Sequence, residues 1–320
     1  MPVKLIVGFL ISLIAVLILM PPFINYLKKL SFRQSVSEYA LADDQKKAGT
    51  PIMGGILFIL VPVIVTLIAF PESLKDMDTW IIILAFAGYG LIGFTDDYLI
   101  AVKKNNDGLS PKQKFGLQLI LAVVFFFIYR SHAELEVTIP FTHHVWNLGW
   151  GYFILVLLMF TGASNAVNLT DGMDGLAAGV SIIALIPYFI IALLQKRSSV
   201  EMFVITLIGA LLGYLWYNKK PARVFMGDTG ALALGGALAA IAMVTKEELA
   251  LVVIAGVPVI ETLCVIIQQV SVRTRHKRVF RYTPIHYAFR LRGMPEEKIV
   301  LMFWGAEAVF ACLGLLVALY

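Results

Sequence analysis

The chain is short of charged residues. Aspartate, glutamate, lysine and arginine make up only 15% of its 320 residues, against about 25% in an average soluble domain. Hydrophobic residues make up 59%, and the mean hydropathy is +0.84. This composition excludes a soluble globular protein and predicts a membrane protein that crosses the bilayer several times.

Other absences narrow the function. The two cysteines, Cys264 and Cys312, lie inside apolar runs with no second Cys or His at metal-ligand spacing, and are predicted to be small buried hydrophobic residues. The chain has no Gly-x4-Gly-Lys-Ser/Thr pattern, which disfavours an ATPase, and no serine nucleophile elbow. It also shows no internal repeat of the kind that marks inverted-repeat transporters.

Apolar segments recur along the chain at close to the ~20 residues that a membrane-crossing helix needs. No polar stretch between them is long enough for a separate soluble domain, so we expect an all-α, polytopic bundle in which residues 1–320 form one domain. The first segment is followed by Pro21-Pro22 and a basic loop rather than a cleavage pattern, so it is expected to be a retained span. The ten or so predicted spans are 3–20, 52–70, 80–95, 115–130, 150–164, 176–195, 200–217, 230–245, 248–268 and 299–319.

Positive charge is distributed unevenly among the loops. Twenty of the 26 Lys and Arg residues lie in the loops after spans 1, 3, 7 and 9. Short basic loops stay in the cytoplasm, so these loops are predicted to be cytoplasmic and both termini external. The net charge of +5 is concentrated in these loops, which favours contact with anionic lipid headgroups over binding of nucleic acid.

Carboxylates and amides interrupt the apolar pattern on the same predicted face. A carboxylate beside lipid is costly, which favours a functional site, although a polar loop or a helix end in water would also explain each cluster taken alone. Asp96 and Asp97 are neighbours, and adjacent helical side chains point about 100° apart, so the two are expected to face different partners. The polar clusters are 46–55, 96–106, 165–175 and 221–230.

The cluster between spans 5 and 6 is the predicted cytoplasmic loop without Lys or Arg. Asn165, Asn168 and Asp171 recur every third residue and would share one face of a helix. Ahead of span 8, a Gly-Asp-Thr-Gly segment predicts a turn that places Asp228 at a helix start, where Asp228 or Thr229 could also act simply as an N-cap. Oxygen ligands ringed by Lys and Arg suit a Mg²⁺ that bridges to a diphosphate substrate.

At these residues the sequence closely resembles the phospho-N-acetylmuramoyl-pentapeptide transferases, a branch of the polyprenyl-phosphate N-acetylhexosamine-1-phosphate transferase superfamily. The resemblance covers essentially the whole chain. The Lys-x-Gly-Thr-Pro-x-Met-Gly-Gly and Pro-Ile-His segments favour this branch over the N-acetylglucosamine branch. The matching segments are Lys47-Ala-Gly-Thr-Pro-Ile-Met-Gly-Gly, Asp96-Asp97-Tyr98, Lys103-Lys104-Asn105-Asn106-Asp-Gly-Leu, Asn165-Ala-Val-Asn168-Leu-Thr-Asp171-Gly, Val224-Phe225-Met-Gly-Asp228-Thr-Gly and Thr283-Pro-Ile-His286.

The resemblance implies a homodimer of ten-span chains in the bacterial plasma membrane, with a cytoplasmic Mg²⁺ site. The implied reaction transfers phospho-N-acetylmuramoyl-pentapeptide from UDP to undecaprenyl phosphate, which releases UMP and forms lipid I for peptidoglycan. A UDP-N-acetylglucosamine-1-phosphate transferase is the nearest alternative, and a cation- or proton-coupled transporter is a more distant one. A transporter predicts carboxylates near the bilayer midplane, whereas these cluster at one face.

The resemblance also implies roles for single residues. Asp228 would be the principal Mg²⁺ ligand. Asp96, with Asp97 beside it, would deprotonate or orient the lipid phosphate, and Asp171 would support the site. The implied substrate contacts are Lys47, Lys104 and Lys112 with phosphates, Asn165 and Asn168 with the nucleotide, Asp174 and Gln268 with the uracil, Phe225 stacked on the base, and His286.

One segment departs from the family pattern of three consecutive histidines followed by Phe-Glu. Here His286 is followed by Tyr287, Ala288, Phe289 and Arg290. The roles of the second and third family histidines therefore cannot be carried over. Tyr287 could replace a hydrogen bond, but Ala288 could not.

Two expectations concern the lipid substrate. Gly256-Val-Pro258 in the middle of span 9 should kink or break the helix. The bend, with Glu261 just beyond it, either opens a lipid-facing groove for the polyprenyl tail or is a packing kink with Glu261 hydrogen-bonded inside the bundle. For the chemistry, direct attack of the lipid phosphate on the sugar-linked phosphate is preferred to a two-step route through a phospho-aspartate.

Overall fold

The computed structural model describes residues 2–30, 49–103, 108–142 and 144–320, so the predicted contacts Lys47 and Lys104 lie outside the described residues. These residues form twelve α-helices and one antiparallel β-hairpin. The elements are α1 Pro2–Lys29, α2 Gly55–Ala69, α3 Met77–Lys103, α4 Pro111–Arg130, β1 Glu136–Ile139, β2 His144–Asn147, α5 Gly151–Thr170, α6 Leu176–Leu194, α7 Ser198–Asn218, α8 Gly227–Thr245, α9 Glu248–Ile254, α10 Gly256–Arg275, α11 Ile285–Arg290 and α12 Glu296–Leu319.

The all-α, polytopic class predicted from the composition is confirmed. Within the described ranges, nine helices are long and apolar enough to cross a membrane. The predicted span 52–70 is α2, whose 15 residues reach about 22 Å, less than the ~30 Å of a bilayer core. Of the two cysteines predicted to be buried, Cys264 is buried but Cys312 is exposed on the surface of the bundle.

Several helices extend beyond the predicted spans. α1 continues through Pro21-Pro22 to Lys29, α5 continues to Thr170 and α10 to Arg275. α3 continues eight residues past the predicted end, to Lys103, so Asp96 and Asp97 lie within a helix. Hydropathy falls at these carboxylates, but they do not break the backbone pattern. α4 begins earlier than predicted because Ser110 and Gln113 form a reciprocal capping box ahead of it.

The predicted break in span 9 is confirmed. α9 ends at Ile254 and α10 begins at Gly256, where the ring of Phe310 leaves no room for a side chain. The backbone N–H of Val257 donates to Glu307 Oε2 at 2.9 Å. This contact satisfies one of the N–H groups that a helix start leaves without an intrahelical partner.

α8 is the central helix of the bundle. Every residue from Thr229 to Thr245 is buried, in a run dominated by alanine, glycine and leucine. Gly235 packs against the backbone of α5, and Gly236 packs against the Tyr89 ring of α3. This close packing places the first turn of α8, with Asp228, beside α3 and α5 at one end of the bundle, here called the site end.

Candidate active site

The first turn of α8 is capped by a carboxylate from α3. Asp97 Oδ1 accepts from the Asp228 N–H at 3.1 Å, and Asp97 Oδ2 accepts from the Thr229 N–H at 3.0 Å and its hydroxyl at 2.6 Å. Gly227 has φ +68°, and the Asp97 carboxylate fills the space that a side chain there would need. The alternative that Asp228 or Thr229 is merely the N-cap is therefore wrong, because the cap comes from another helix.

Asp228 is consequently available to face the interior of the site. Asn168 Nδ2 donates to Asp228 Oδ1 at 2.8 Å, and Lys114 Nζ donates to Asp228 Oδ2. The same ammonium lies 3.1 Å from Asp96 Oδ2. Side chains from four helices, α3, α4, α5 and α8, thus meet at one point.

The two neighbouring aspartates face different partners, as the helical spacing predicts. Asp96 Oδ1 accepts from the Leu109 N–H at 2.7 Å, on the side of α4, whereas Asp97 faces α8. One oxygen from each of Asp96, Asp97 and Asp228 nevertheless lies within 4.8 Å of the other two. Three convergent carboxylate oxygens are a donor set that fits a divalent cation such as Mg²⁺.

Lys114, which the sequence did not single out, contacts Asp96 and Asp228, and the phosphate contact of Lys112 stays a prediction. Pro111 is the first residue of α4, so Lys112 and Lys114 are two helical positions, about 200°, apart. Lys112 is exposed, while Lys114 faces the carboxylates. The Ser-x-x-Gln capping box marks this helix start and was the signal that could have distinguished the two lysines.

One turn below Lys114 on α4 lies Gln118, a second missed residue. Gln118 is fully buried, and its Oε1 accepts from Asn165 Nδ2 at 2.8 Å. Asn165 also donates to the Thr161 carbonyl at 2.8 Å. The structure thus holds Asn165 against α4, and its predicted nucleotide contact stays a prediction.

The loop between α5 and α6 forms a separate wall of the site end. Asp171 is the C-cap residue of α5 and is outside the three-carboxylate group found among the described residues. Asp174 is buried, and its Oδ2 accepts from the Ala222 N–H at 3.0 Å. The Asp174 N–H in turn donates to Glu296 Oε1 at 3.0 Å, a contact that the sequence did not reveal.

Lys220 supports the same wall, with its Nζ 3.4 Å from Glu296 Oε2. Partial burial alone would lower the pKa of Lys220, but Glu296 and Glu297 outweigh it and raise that pKa above its ordinary value. The lysine therefore stays charged and compensates one carboxylate of this wall.

Phe225 lies between the wall and α8. Its N–H donates to the Pro51 carbonyl at 2.8 Å, and its carbonyl accepts from the Gly54 N–H at 2.8 Å. Val224 and Phe225 pack so closely on Gly54 that no side chain would fit there. This contact explains the first glycine of the Gly-Gly pair, the second packs against the Gly230 backbone, and Phe225 remains partly exposed.

Two predicted substrate contacts are engaged elsewhere in the protein. Gln268 Oε1 accepts from the Val279 and Phe280 N–H groups at 3.0 and 2.9 Å, which fixes the basic loop. His286 is fully buried, with Nδ1 2.9 Å from Glu261 Oε1. Their contacts with substrate stay predictions.

An apolar cavity of about 340 Å³ adjoins the site end. It lies between α5 and the broken helices α9 and α10, and Leu238 of α8 also lines it. On α5 it runs from Leu155 to Val167, a length of about 18 Å at 1.5 Å per residue. Its inner end is therefore next to Asn168, and its outer end is at Glu248.

A family profile and several known proteins match the sequence of the chain. The family profile described as glycosyl transferase family 4 matches residues 79–246. The phospho-N-acetylmuramoyl-pentapeptide-transferase of Geobacillus thermodenitrificans is 46% identical over 323 residues, covering all of both chains. The protein of that name from Bacillus subtilis is 46% identical, covering 99% of this chain and 97% of its own, and the one from Geobacillus sp. is 44% identical.

Proposed function

Because the chain belongs to glycosyl transferase family 4, among its phospho-N-acetylmuramoyl-pentapeptide transferases, we propose that it makes lipid I. The substrates would be UDP-N-acetylmuramoyl-pentapeptide and undecaprenyl phosphate, and the other product UMP. The observation that carries the proposal is the meeting of Asp96, Asp97 and Asp228 with Lys114 beside an apolar cavity. Such a site can hold a diphosphate at one side and a lipid at the other.

The three carboxylates would hold Mg²⁺, with Asp228 as the principal ligand. When bound, this ion supplies positive charge that stabilises the diphosphate and the phosphate transferred. Lys114 contributes a second positive charge at the same place, and Asn168 orients Asp228 from the other side. Electrostatic stabilisation of this kind usually dominates phosphoryl transfer.

The cavity would receive the polyprenyl tail. Its lining is apolar along α5 and α10, and its inner end reaches the residue before Asn168. A lipid phosphate entering from the cavity would arrive beside Asn168 and Asp228, and Asp96, which shares Lys114 with Asp228, would orient it or take its proton. In the direct reaction, a lipid phosphate oxygen attacks the sugar-linked phosphorus as the bond to the UMP phosphate breaks.

The orientation and assembly belong to the same proposal. The site end would face the cytoplasm, where the nucleotide substrate is found, because the described basic segments 219–223 and 273–292 lie at that end. Both termini would then face outward, and the chain would act as a homodimer in the bacterial plasma membrane. The orientation is tested by placing single cysteines in the loops 131–135 and 276–282 and labelling them in intact cells.

The direct test of function is UMP release from UDP-N-acetylmuramoyl-pentapeptide and from UDP-N-acetylglucosamine side by side, with and without Mg²⁺. We expect turnover of the muramoyl substrate only, and only with the metal present. Turnover of the glucosamine substrate alone would replace the proposal by the second phosphosugar transferase activity.

The one-step route is tested at Asp97. Its carboxylate is occupied by three donors from α8, which makes it a poor nucleophile and a structural cap. We expect Asp97→Asn, which keeps one accepting oxygen, to retain measurable UMP release after a loss of roughly 30-fold. Isolation of a labelled aspartyl phosphate from the wild-type protein would contradict direct attack.

A further inference from the structure

A buried carboxylate of α10 holds the short helix α11. Glu261 is fully buried, and its Oε2 accepts from the Ile285 N–H at 2.6 Å. Its Oε1 accepts from the His286 N–H at 3.2 Å and lies 2.9 Å from His286 Nδ1. Glu261 therefore satisfies two N–H groups at the start of α11, which would otherwise be buried without partners.

These contacts fix the tautomer of His286. Two backbone N–H groups already donate to the Glu261 carboxylate, so it is the acceptor for Nδ1 as well, and Nδ1 carries the proton. In the neutral ring Nε2 then presents a lone pair. Within the described ranges Nε2 is buried and has no hydrogen-bond partner.

The free side of the His286 ring lies against Gly172. A side chain at Gly172 would overlap His286 Nε2, so the ring packs directly on the backbone of the loop after α5. Tyr287, the residue in place of the second family histidine, donates its hydroxyl to the Gly172 carbonyl at 3.1 Å. α11 therefore contacts Gly172 twice, next to Asp171 and two residues before Asp174.

We propose that Glu261, His286 and Tyr287 form a positioning unit that holds the 171–175 loop in place for the nucleotide substrate. The chain of contacts runs from Glu261 to the His286 ring and from α11 to Gly172. None of the three side chains needs to touch the substrate, and His286 acts through Gly172. The identity of the substrate in this inference rests on the proposed function. The contacts from Glu261 to Gly172 are independent of that function.

The first test removes one hydroxyl. Tyr287→Phe keeps the ring and loses one neutral hydrogen bond of about 1 kcal/mol, so the KM for the UDP-sugar should rise roughly fivefold. The kcat and the KM for the lipid phosphate should stay within about twofold. Tyr282→Phe is the matched control, because its half-exposed ring packs against Tyr287 at 5.7 Å without a hydroxyl contact in the described residues.

Two results would overturn the positioning unit. One is a Tyr287→Phe protein with the same kinetic constants as Tyr282→Phe. The other is a fall in kcat with both KM values unchanged, since this would mean that Tyr287 acts on the reacting groups. A general loss of stability would lower only the fraction of active protein, and with it the apparent kcat, so kcat is first corrected for the folded fraction measured by thermal unfolding.

The second test needs no substrate. In ¹⁵N-histidine-labelled, ligand-free protein, with His286→Asn used for assignment, we expect His286 to show the Nδ1–H tautomer. Glu261→Gln should reduce the population of this tautomer, because an amide can donate to Nδ1 as well as accept from it. A wild-type His286 in the Nε2–H tautomer would overturn the inference. Failure of the proposed function would appear separately, as absence of UMP release by the wild type from either UDP-sugar.

Discussion

The two ends of the helical bundle balance their charged groups differently, and at the site end the described carboxylates outnumber the basic group that contacts them. There, three carboxylates, Asp96, Asp97 and Asp228, meet one ammonium, that of Lys114. At the opposite end, one carboxylate is shared by two basic groups. Asp78 lies 2.6 Å from Arg197 and 3.1 Å from His132.

At the opposite end, a carboxyl group is also neutralised by protonation. Burial and the neighbouring Glu248 raise the pKa of Glu247 to about 8, so Glu247 is mostly neutral at pH 7. Glu248 itself accepts a hydrogen bond from the Tyr152 hydroxyl. A carboxyl group that is neutralised in this way serves the fold, whereas three carboxylates grouped around one ammonium form a donor set that a divalent cation would fit.

The largest expected effect is at Asp228. Asp228→Asn removes one negative charge from the excess and the principal predicted Mg²⁺ ligand, so kcat/KM for UMP release should fall roughly 1,000-fold or more. The cap of α8 is made by Asp97 and is not touched, so thermal unfolding should change little.

The matched variant at the opposite end is Asp78→Asn. Its ion pairs are partly exposed, so the expected cost is roughly 1 kcal/mol of stability, with kcat/KM within about threefold of the wild type. An activity loss similar to that of Asp228→Asn would break the distinction between the two ends.

The next effect separates two lysines of the site end. Lys114→Gln removes the ammonium that bridges Asp96 and Asp228, and kcat/KM should fall roughly 100-fold. Lys112→Gln changes an exposed side chain of the same helix and should stay within about threefold. The reverse order would support the phosphate contact predicted for Lys112 from the sequence.

The fold was predictable because a helix that crosses lipid must be apolar along its length, and such segments are visible in the hydropathy of the sequence. Each of the ten predicted segments overlaps a helix, and the ninth, 248–268, covers two, α9 and α10, with the break directly before Gly256. Boundaries were misplaced where local capping starts a helix early, as at α4, and where a helix continues through proline or polar residues, as in α1, α3 and α5. Hydropathy does not detect either.

The site was predictable only in part. The cost of charge near lipid identified Asp96, Asp97 and Asp228 as candidates. Their partners were not predictable, because the contact of Asp97 with α8 joins residues about 130 positions apart in the chain. In the sequence, Gln118 and Glu261 are single polar residues in apolar helices, and nothing in the pattern marks them. Their partners, Asn165 for Gln118 and His286 for Glu261, are brought to them only by tertiary packing.

A smaller effect is expected at the apolar cavity that extends between the two ends. Gly162 lines the cavity, and no atom lies within 4 Å of a side chain added there. Gly162→Phe should fill the cavity and raise the KM for the lipid phosphate roughly tenfold, with the KM for the UDP-sugar unchanged. Gly305→Phe is the control, because Gly305 on α12 has equally open surroundings and does not line the cavity. An unchanged lipid KM in Gly162→Phe, or an equal rise in Gly305→Phe, would argue against the cavity as the lipid site.

The smallest effect on activity is expected at Glu247, where a charge change should alter stability alone. A carboxyl whose pKa rises on folding, here from 4.5 to about 8, binds a proton in the native state that the unfolded chain has already released. The stability that the wild type has at low pH is therefore lost progressively as pH rises from 4.5 to about 8. Glu247→Gln should remove this loss, so its melting temperature should match the wild type near pH 5 and exceed it at about pH 8.5.

Glu134→Gln, which changes an exposed carboxylate at the same end, is the charge-matched control. UMP release by Glu247→Gln should stay within about twofold of the wild type, and a larger loss would mean that the opposite end also serves the reaction.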